Sequence, residues 1–142
     1  MNNTLAQSLP TDDSVQRQQR LAGIAQQLLE RARSAGASQC EVTCNEDAGL
    51  AVNVRMGDVE TVEATRDRGV GITVYFGQRK GSASSADLRE DSLAATVAQA
   101  CAIAKHTEAD PASGLADAAL MAQTLREFDS WHPAAFDAER AI

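Results

Sequence analysis

Between Cys40 and Ala86 the chain is organised by alternation. Leu50, Val52, Val54 and Met56 are interleaved with Ala51, Asn53 and Arg55, and Val70, Ile72, Val74 and Phe76 with Gly71, Thr73 and Tyr75. A period of two gathers each apolar set on one face, the pattern of a half-buried strand. The breaks come at Gly49, Gly57-Asp58, Arg68-Gly69 and the run Gly77-Gln78-Arg79-Lys80-Gly81. A parallel crossover takes about a dozen residues or more, and these joins are shorter, so the strands pair antiparallel. The reading is a meander of four to five strands. Val59 and Val62 fall on opposite faces of a regular strand, so the register around Val59 to Ala64 is open and has room for a β-bulge. The small run Ser82-Ala83-Ser84-Ser85 reads as a last strand made for close backbone approach, to a helix or to another chain.

Helices flank this stretch. Leu21, Ile24, Ala25, Leu28, Leu29 and Ala32 recur at three- and four-residue steps, which predicts an amphipathic helix from about Ser14 to Ala35. Asp13 and Gln16 have capping-box spacing at its start, and Gly36 stands where a left-handed C-terminal cap belongs. Gly23 lies away from the apolar stripe, at a cost of ~1 kcal/mol against Ala. A second helix is predicted after Asp87-Leu88-Arg89-Glu90, another capping-box spacing, with Leu93, Val97, Cys101 and Ala104 as its stripe. Lys105 and His106 suit its last turn, where positive charge meets the negative end of the helix dipole. Helix, antiparallel meander, helix is an α+β domain.

The expected organisation is a flexible leader over 1–13, the α+β domain over 14–106, and a connector with the first helix of a further domain over 107–142. The connector is turn-rich from Asp110-Pro111 to Asp117, and Ala118 to Ala122 has room for one or two helical turns. Trp131-His132-Pro133 introduces a final apolar-acidic segment from Ala134 that meets no stop signal before Ile142, so the chain reads as continuing into a larger protein.

Composition bounds the chemistry. Apolar residues make up 44% of the 142 residues but aromatics only 4%, so the core is built from Ala, Val, Leu and Ile rather than around an aromatic pocket. Net charge is −7; residues 1–106 carry 11 basic and 13 acidic groups, residues 107–142 carry 2 and 7. An acidic chain repels phosphate backbones, which argues against a nucleic-acid partner. The N-terminus has neither the basic start nor the apolar stretch of a signal peptide, and no apolar run approaches the ~18 residues of a membrane span. A cytoplasmic location without membrane contact is the expectation.

No catalytic constellation emerges. Cys40 and Cys44 on one strand would stand ~13 Å apart, too far for a disulfide, and with no neighbouring Cys or His they lack the ligand count of a zinc site. Small buried side chains beside Val42 are the simpler reading. His106 and His132 are far apart in the chain and sit in no H-E-x-x-H helix. Gly69-Val70-Gly71 is followed by a strand, not the helix that a dinucleotide loop requires. Arg79 and Lys80 mark a basic hairpin tip, with an anion or partner contact as the sharper alternative. Glu60, Glu63 and Asp67 form a solvated acidic row. The sequence therefore assigns no catalytic, cofactor-binding or metal residue to this chain.

The run RDRGVGITVYFGQRKGSASSADLREDSL, the alanine-rich helix after it, IAKHTEADPASGLAD and a tryptophan before a new helix resemble the TldD/PmbA family, and within it the PmbA branch, also called TldE. The resemblance runs from about Leu21 and corresponds to the family's N-terminal domain. It implies a non-catalytic domain of a cytosolic metallopeptidase assembled from a TldD-like and a PmbA-like subunit, acting on extended or unfolded peptides. The zinc-binding histidine motif implied by the family lies on the TldD-like partner, beyond its own N-terminal domain. Two alternatives stand beside this reading: a leading domain whose own metal site lies beyond Ile142, and a protein-binding module unrelated to proteolysis.

Overall fold

A computed structural model of the chain describes residues 14–124, 126 and 128. Along them run α1 (Ser14–Ser34), β1 (Gln39–Arg55), β2 (Asp58–Phe76), β3 (Arg79–Ser85), α2 (Glu90–His106) and a short 3-10 turn (Ala118–Leu120). The strands form one antiparallel sheet in the order β1-β2-β3. Both helices contribute to a single core on one face of it, so the domain is a two-layer α+β sandwich. The predicted leader, the Asp13 cap, and the segment from Trp131 to Ile142 lie outside the described residues.

The core follows from the register. Val70, Ile72 and Val74 of β2 face the helices; opposite them stand Cys44, Val42 and Cys40 on β1, and Ser85, Ala83 and Gly81 on β3. α1 supplies Leu28 and Ala32, both fully buried, with Ile24 packed against them. α2 supplies Leu93, Val97, Ala100, Cys101 and Ala104. The size gradient across the sheet sets the packing: β3 has no bulky core-facing side chain, so α2 settles onto its backbone. A Cβ at Gly81 would lie only 2.3 Å from the Ala100 carbonyl oxygen and 2.4 Å from the Ala104 nitrogen. Close approach to a helix is the use this small run serves.

The helix ends obey local chemistry. α1 stops in a Schellman motif: the Gly36 amide donates to the Arg33 carbonyl (2.9 Å) and the Ala37 amide to the Ala32 carbonyl (3.1 Å), with Gly36 at φ +90°. The start of α2 differs from the predicted capping box. Its N-cap is Arg89, which makes no side-chain cap bond. Asp87 instead folds back locally, accepting from the Arg89 amide and guanidinium and from the Ser92 hydroxyl, while Glu90 pairs with Arg31 of α1. An aspartate is prone to such a local turn, and its side chain is consumed there before the helix begins.

The sheet has three strands rather than four or five. Gly49 and Arg68-Gly69, read as breaks, lie inside long strands, where Gly49 stands opposite Thr65 and Gly69 opposite Asn45. A glycine marks a turn or a close approach with the same letter. Here it is approach: a Cβ would fall 2.8 Å from Thr65 Oγ1 at position 49 and 3.2 Å from Asn45 Oδ1 at position 69. The true reversals are two-residue turns. Met56-Gly57, with φ of 54° and 91°, has the positive angles of a type I′ hairpin, so Met56 leaves the strand pattern to which it was assigned. Gly77-Gln78 makes the second, and Arg79 to Gly81 already belong to β3.

The register shift sought near Val59 is present. Asn53 pairs with Thr61 and Val54 with Val59, leaving Glu60 as the extra residue. The bulge thereby brings Val59 and Val62 onto the same face, with Val54 and Val52. β3 pairs only with 70–76, so beyond Asn45 and Gly69 the other two strands continue as a two-stranded ribbon. After α2 the connector turns at Asp110, whose carboxylate accepts from the Ala112 amide, and returns to the sheet, where the Leu115 amide donates to Gln39 Oε1 at 3.0 Å.

Candidate functional site

The residues singled out for chemistry are mostly used by the fold. Cys40 and Cys44 are partly buried on the helix-facing side of β1, and Cys101 is buried on α2. Burial pushes the Cys44 thiol up, and does the same to Cys101, where nearby Lys105 only partly opposes it. Protonated thiols in an apolar wall are packing groups, not nucleophiles. Lys105 sits 5.3 Å over the Phe76 ring, a cation–π contact that ties the end of α2 to β2, and His106 is exposed beside it. Arg79 Nη1 lies 3.5 Å from the Lys105 carbonyl oxygen, so half of the basic hairpin tip serves as a helix-end contact.

Gly69-Val70-Gly71 is mid-strand, with Val70 in the core, and holds no phosphate cradle. The acidic row is divided by the bulge: Glu60 is the extra residue and lies 3.5 Å from Arg55, while Glu63 and Asp67 share the side facing away from the helices. Among the described residues, no three side chains of His, Cys, Asp or Glu gather in a group that could hold a metal ion.

What remains open is the part of the sheet's outer face away from Tyr75, which is itself buried. Thr43, Gly71, Thr73, Ser82 and Ser84 alternate with the core residues and therefore point away from both helices. Two adjoining depressions of about 370 and 390 Å³ share Thr43, Gly71 and Ser84. Gly71 forms a low floor, since a Cβ there would meet nothing within 4 Å. Thr73 Oγ1 and Ser82 Oγ are 2.9 Å apart, linking β2 to β3 across the trough. Such a surface offers hydroxyl donors and acceptors over a flat backbone, with Glu41 as the carboxylate at its rim and no histidine or cysteine in its lining. Hydroxyls arranged in this way can donate to and accept from the backbone of an extended chain. This face was missed in the sequence because its signal is only the polar half of the alternation, which any solvated strand shows. Gly71, read there as one of the residues interleaved with the core set, is what flattens it.

Comparison with known proteins agrees with this architecture. Residues 40–104, from the start of β1 through most of α2, match the family model for PmbA/TldA metallopeptidase domain 1. The chain is 43% identical over 113 residues to a metalloprotease PmbA homolog of Haemophilus influenzae, covering 80% of this chain and 25% of that protein. It is 44% identical over 102 residues to metalloprotease PmbA of Escherichia coli O157:H7, covering 72% of this chain and 23% of that one. It therefore spans about a quarter of the length of these relatives. In fold it is similar to a Bacteroides thetaiotaomicron protein described as a modulator of DNA gyrase, with a TM-score of 0.68 at 19% identity over 75% of this chain and 24% of that one. TldE from Thermococcus kodakarensis gives a TM-score of 0.56 at 14% identity over 62% and 20% of the two chains. With the matched domain running through the sheet and second helix, and close relatives of one kind, the chain carries the N-terminal domain of the PmbA/TldD family, in its PmbA/TldE-like form.

Proposed function

We propose that this domain is a non-catalytic part of a PmbA/TldE-like subunit, working beside a TldD-like subunit in a cytoplasmic metallopeptidase that processes extended or unfolded peptides. In this reading the zinc belongs to the TldD-like subunit, and the present domain lines the path by which a peptide reaches it. The observation that carries the proposal is the open outer trough: hydroxyls of Thr43, Thr73, Ser82 and Ser84 around the glycine floor at position 71. An extended peptide needs backbone hydrogen bonds and room more than deep specificity pockets, and this trough supplies both. The metalloprotease names of the relatives supply the reaction class. The net charge of −7 counts against a phosphate-backbone partner. Among the described residues, no helix is long and apolar enough to cross a membrane.

The test is site-directed photo-crosslinking in the complete subunit assembled with a TldD-like partner. A photoreactive residue in place of Thr73 or Ser84 should capture a labelled unfolded peptide, whereas one in place of Ala102, exposed on α2, should not. Equal capture at all three positions, or at Ala102 alone, would defeat the assignment of the trough. Chelator-sensitive hydrolysis by this chain alone would defeat the non-catalytic role.

A further inference from the structure

The outer trough leaves unexplained the opposite face of the ribbon. Leu50, Val52, Val54, Val59, Val62 and Ala64 share its helix-facing side, which is the side that forms the core lower in the sheet. Neither helix covers these valines fully: Val54, Val59 and Val62 are 42%, 41% and 39% exposed. A two-stranded ribbon is at best marginally stable in water without cover for its apolar face.

Charge on the ribbon is unevenly divided between its faces. Asp47, Asp58, Glu63 and Asp67 are on the outer side with Arg55, while Arg66 and Arg68 are on the helix-facing side with Glu46. Arg17 and Arg20, from the first turns of α1, join Arg66 around a cleft of about 560 Å³ at the ribbon's base, lined also by Glu46 and Asp47. Glu46 is already paired with Arg20. On a chain of net charge −7 this is a local positive patch, continuous with an apolar stripe.

We infer that the helix-facing side of the β1–β2 ribbon docks an amphipathic acidic helix of a partner protein, with its apolar stripe on the valines and its carboxylates at the arginine cleft. The dimensions fit one helix. Two strands about 5 Å apart present a platform that one helix of about 10–12 Å diameter spans. The run from Ala48 to Val54 is ~20 Å long, matched by ~13 helical residues. α1 already lies on this face of β1, with Arg20 reaching Glu46, so the ribbon extends a platform built for helices. The outer side, where Asp58, Glu63 and Asp67 outnumber Arg55, suits the same carboxylates less well. This inference stands apart from the peptidase reading and survives its failure.

The experiment measures fluorescence anisotropy of the 142-residue chain against two synthetic helices of about 18 residues. Both carry one leucine stripe; one has glutamates flanking it and the other lysines. The acidic peptide should bind about tenfold or more tightly than the basic one at low salt, with the gap closing as salt rises. Val62→Glu and the milder Val62→Ser should weaken it, as should Arg66→Glu, while Glu63→Gln on the outer side should leave it unchanged, all with unchanged circular dichroism. Equal binding of both peptides, or none, overturns the proposal. A dimer in analytical ultracentrifugation that Val62→Glu dissociates would assign the face to a second copy instead. Binding that appears only after residues 1–13 are deleted would assign it to this chain's own N-terminus.

Discussion

Adding one methyl group at position 81 should damage this domain more than most surface substitutions, because the space is already filled by backbone. A Cβ at Gly81 would stand 2.3 Å from the Ala100 oxygen, 2.4 Å from the Ala104 nitrogen and 2.9 Å from the Ala104 Cα. Carbon atoms rest at about 3.5–4.0 Å, so α2 and β3 must separate by roughly 1 Å. Neither neighbour can rotate away as a side chain would. The cost belongs near the top of the ~1–3 kcal/mol range for overpacking, and the separation also loosens Val97 and Cys101 in the core. Alanine recovers ~0.4–1 kcal/mol by restricting the unfolded chain, leaving a net loss of about 2–3 kcal/mol for Gly81→Ala. Gly71→Ala is the matched control: same sheet, same change, but nothing within 4 Å of the new Cβ, hence a change within about 0.5 kcal/mol of zero or slightly stabilising. Urea unfolding followed by far-ultraviolet circular dichroism reads both. If Gly81→Ala unfolds with the native midpoint, α2 does not rest on β3 as described, and the explanation of the small-residue strand fails.

Three further outcomes are expected. Gly23 sits on the exposed side of α1 with open space around its Cβ position, so Gly23→Ala should stabilise by ~0.5–1 kcal/mol, visible as a higher denaturation midpoint. Met56 is 97% exposed and holds φ +54° beside Gly57, where Asn is better suited; Met56→Asn should raise stability by ~0.5–1 kcal/mol, and an unchanged or lower midpoint would count against a type I′ turn. The Arg89 guanidinium, then the Arg89 amide and the Ser92 hydroxyl, hold Asp87 well below the usual carboxylate range. A depressed carboxyl contributes its stability above the unfolded value near ~4 and loses it as pH falls further. The advantage of the native chain over Asp87→Asn should therefore be present at neutral pH and shrink below about pH 4, measured by unfolding across pH; a gap independent of pH would refute the role of its charge.

Much of the candidate surface was legible only in halves. The alternation of Val70, Ile72 and Val74 with Gly71, Thr73 and Tyr75 was sufficient to separate core from outer face. The hydroxyl trough needs the register as well, since Thr43, Thr73 and Ser82 become neighbours only through strand pairing. The same limit applies to Arg17, Arg20 and Arg66: 46 or more positions separate α1's arginines from their companion, and no local pattern joins them. Asp87 shows the converse error, in which a correct capping spacing was overridden by a shorter-range turn.

By itself the sequence determined the two helices, the antiparallel pairing and the core-facing set Val70, Ile72 and Val74, because helical and strand periodicities are local consequences of backbone geometry. It also determined the end of α1, where Gly36 alone accounts for the left-handed cap. Tertiary structure decided which glycines bend the chain and which flatten it. Gly57 and Gly77 occupy turns at positive φ, whereas Gly49 and Gly69 yield space to Thr65 and Asn45, and Gly81 yields it to α2. The letter is the same in all five; backbone φ and the atom that would collide with a side chain tell them apart.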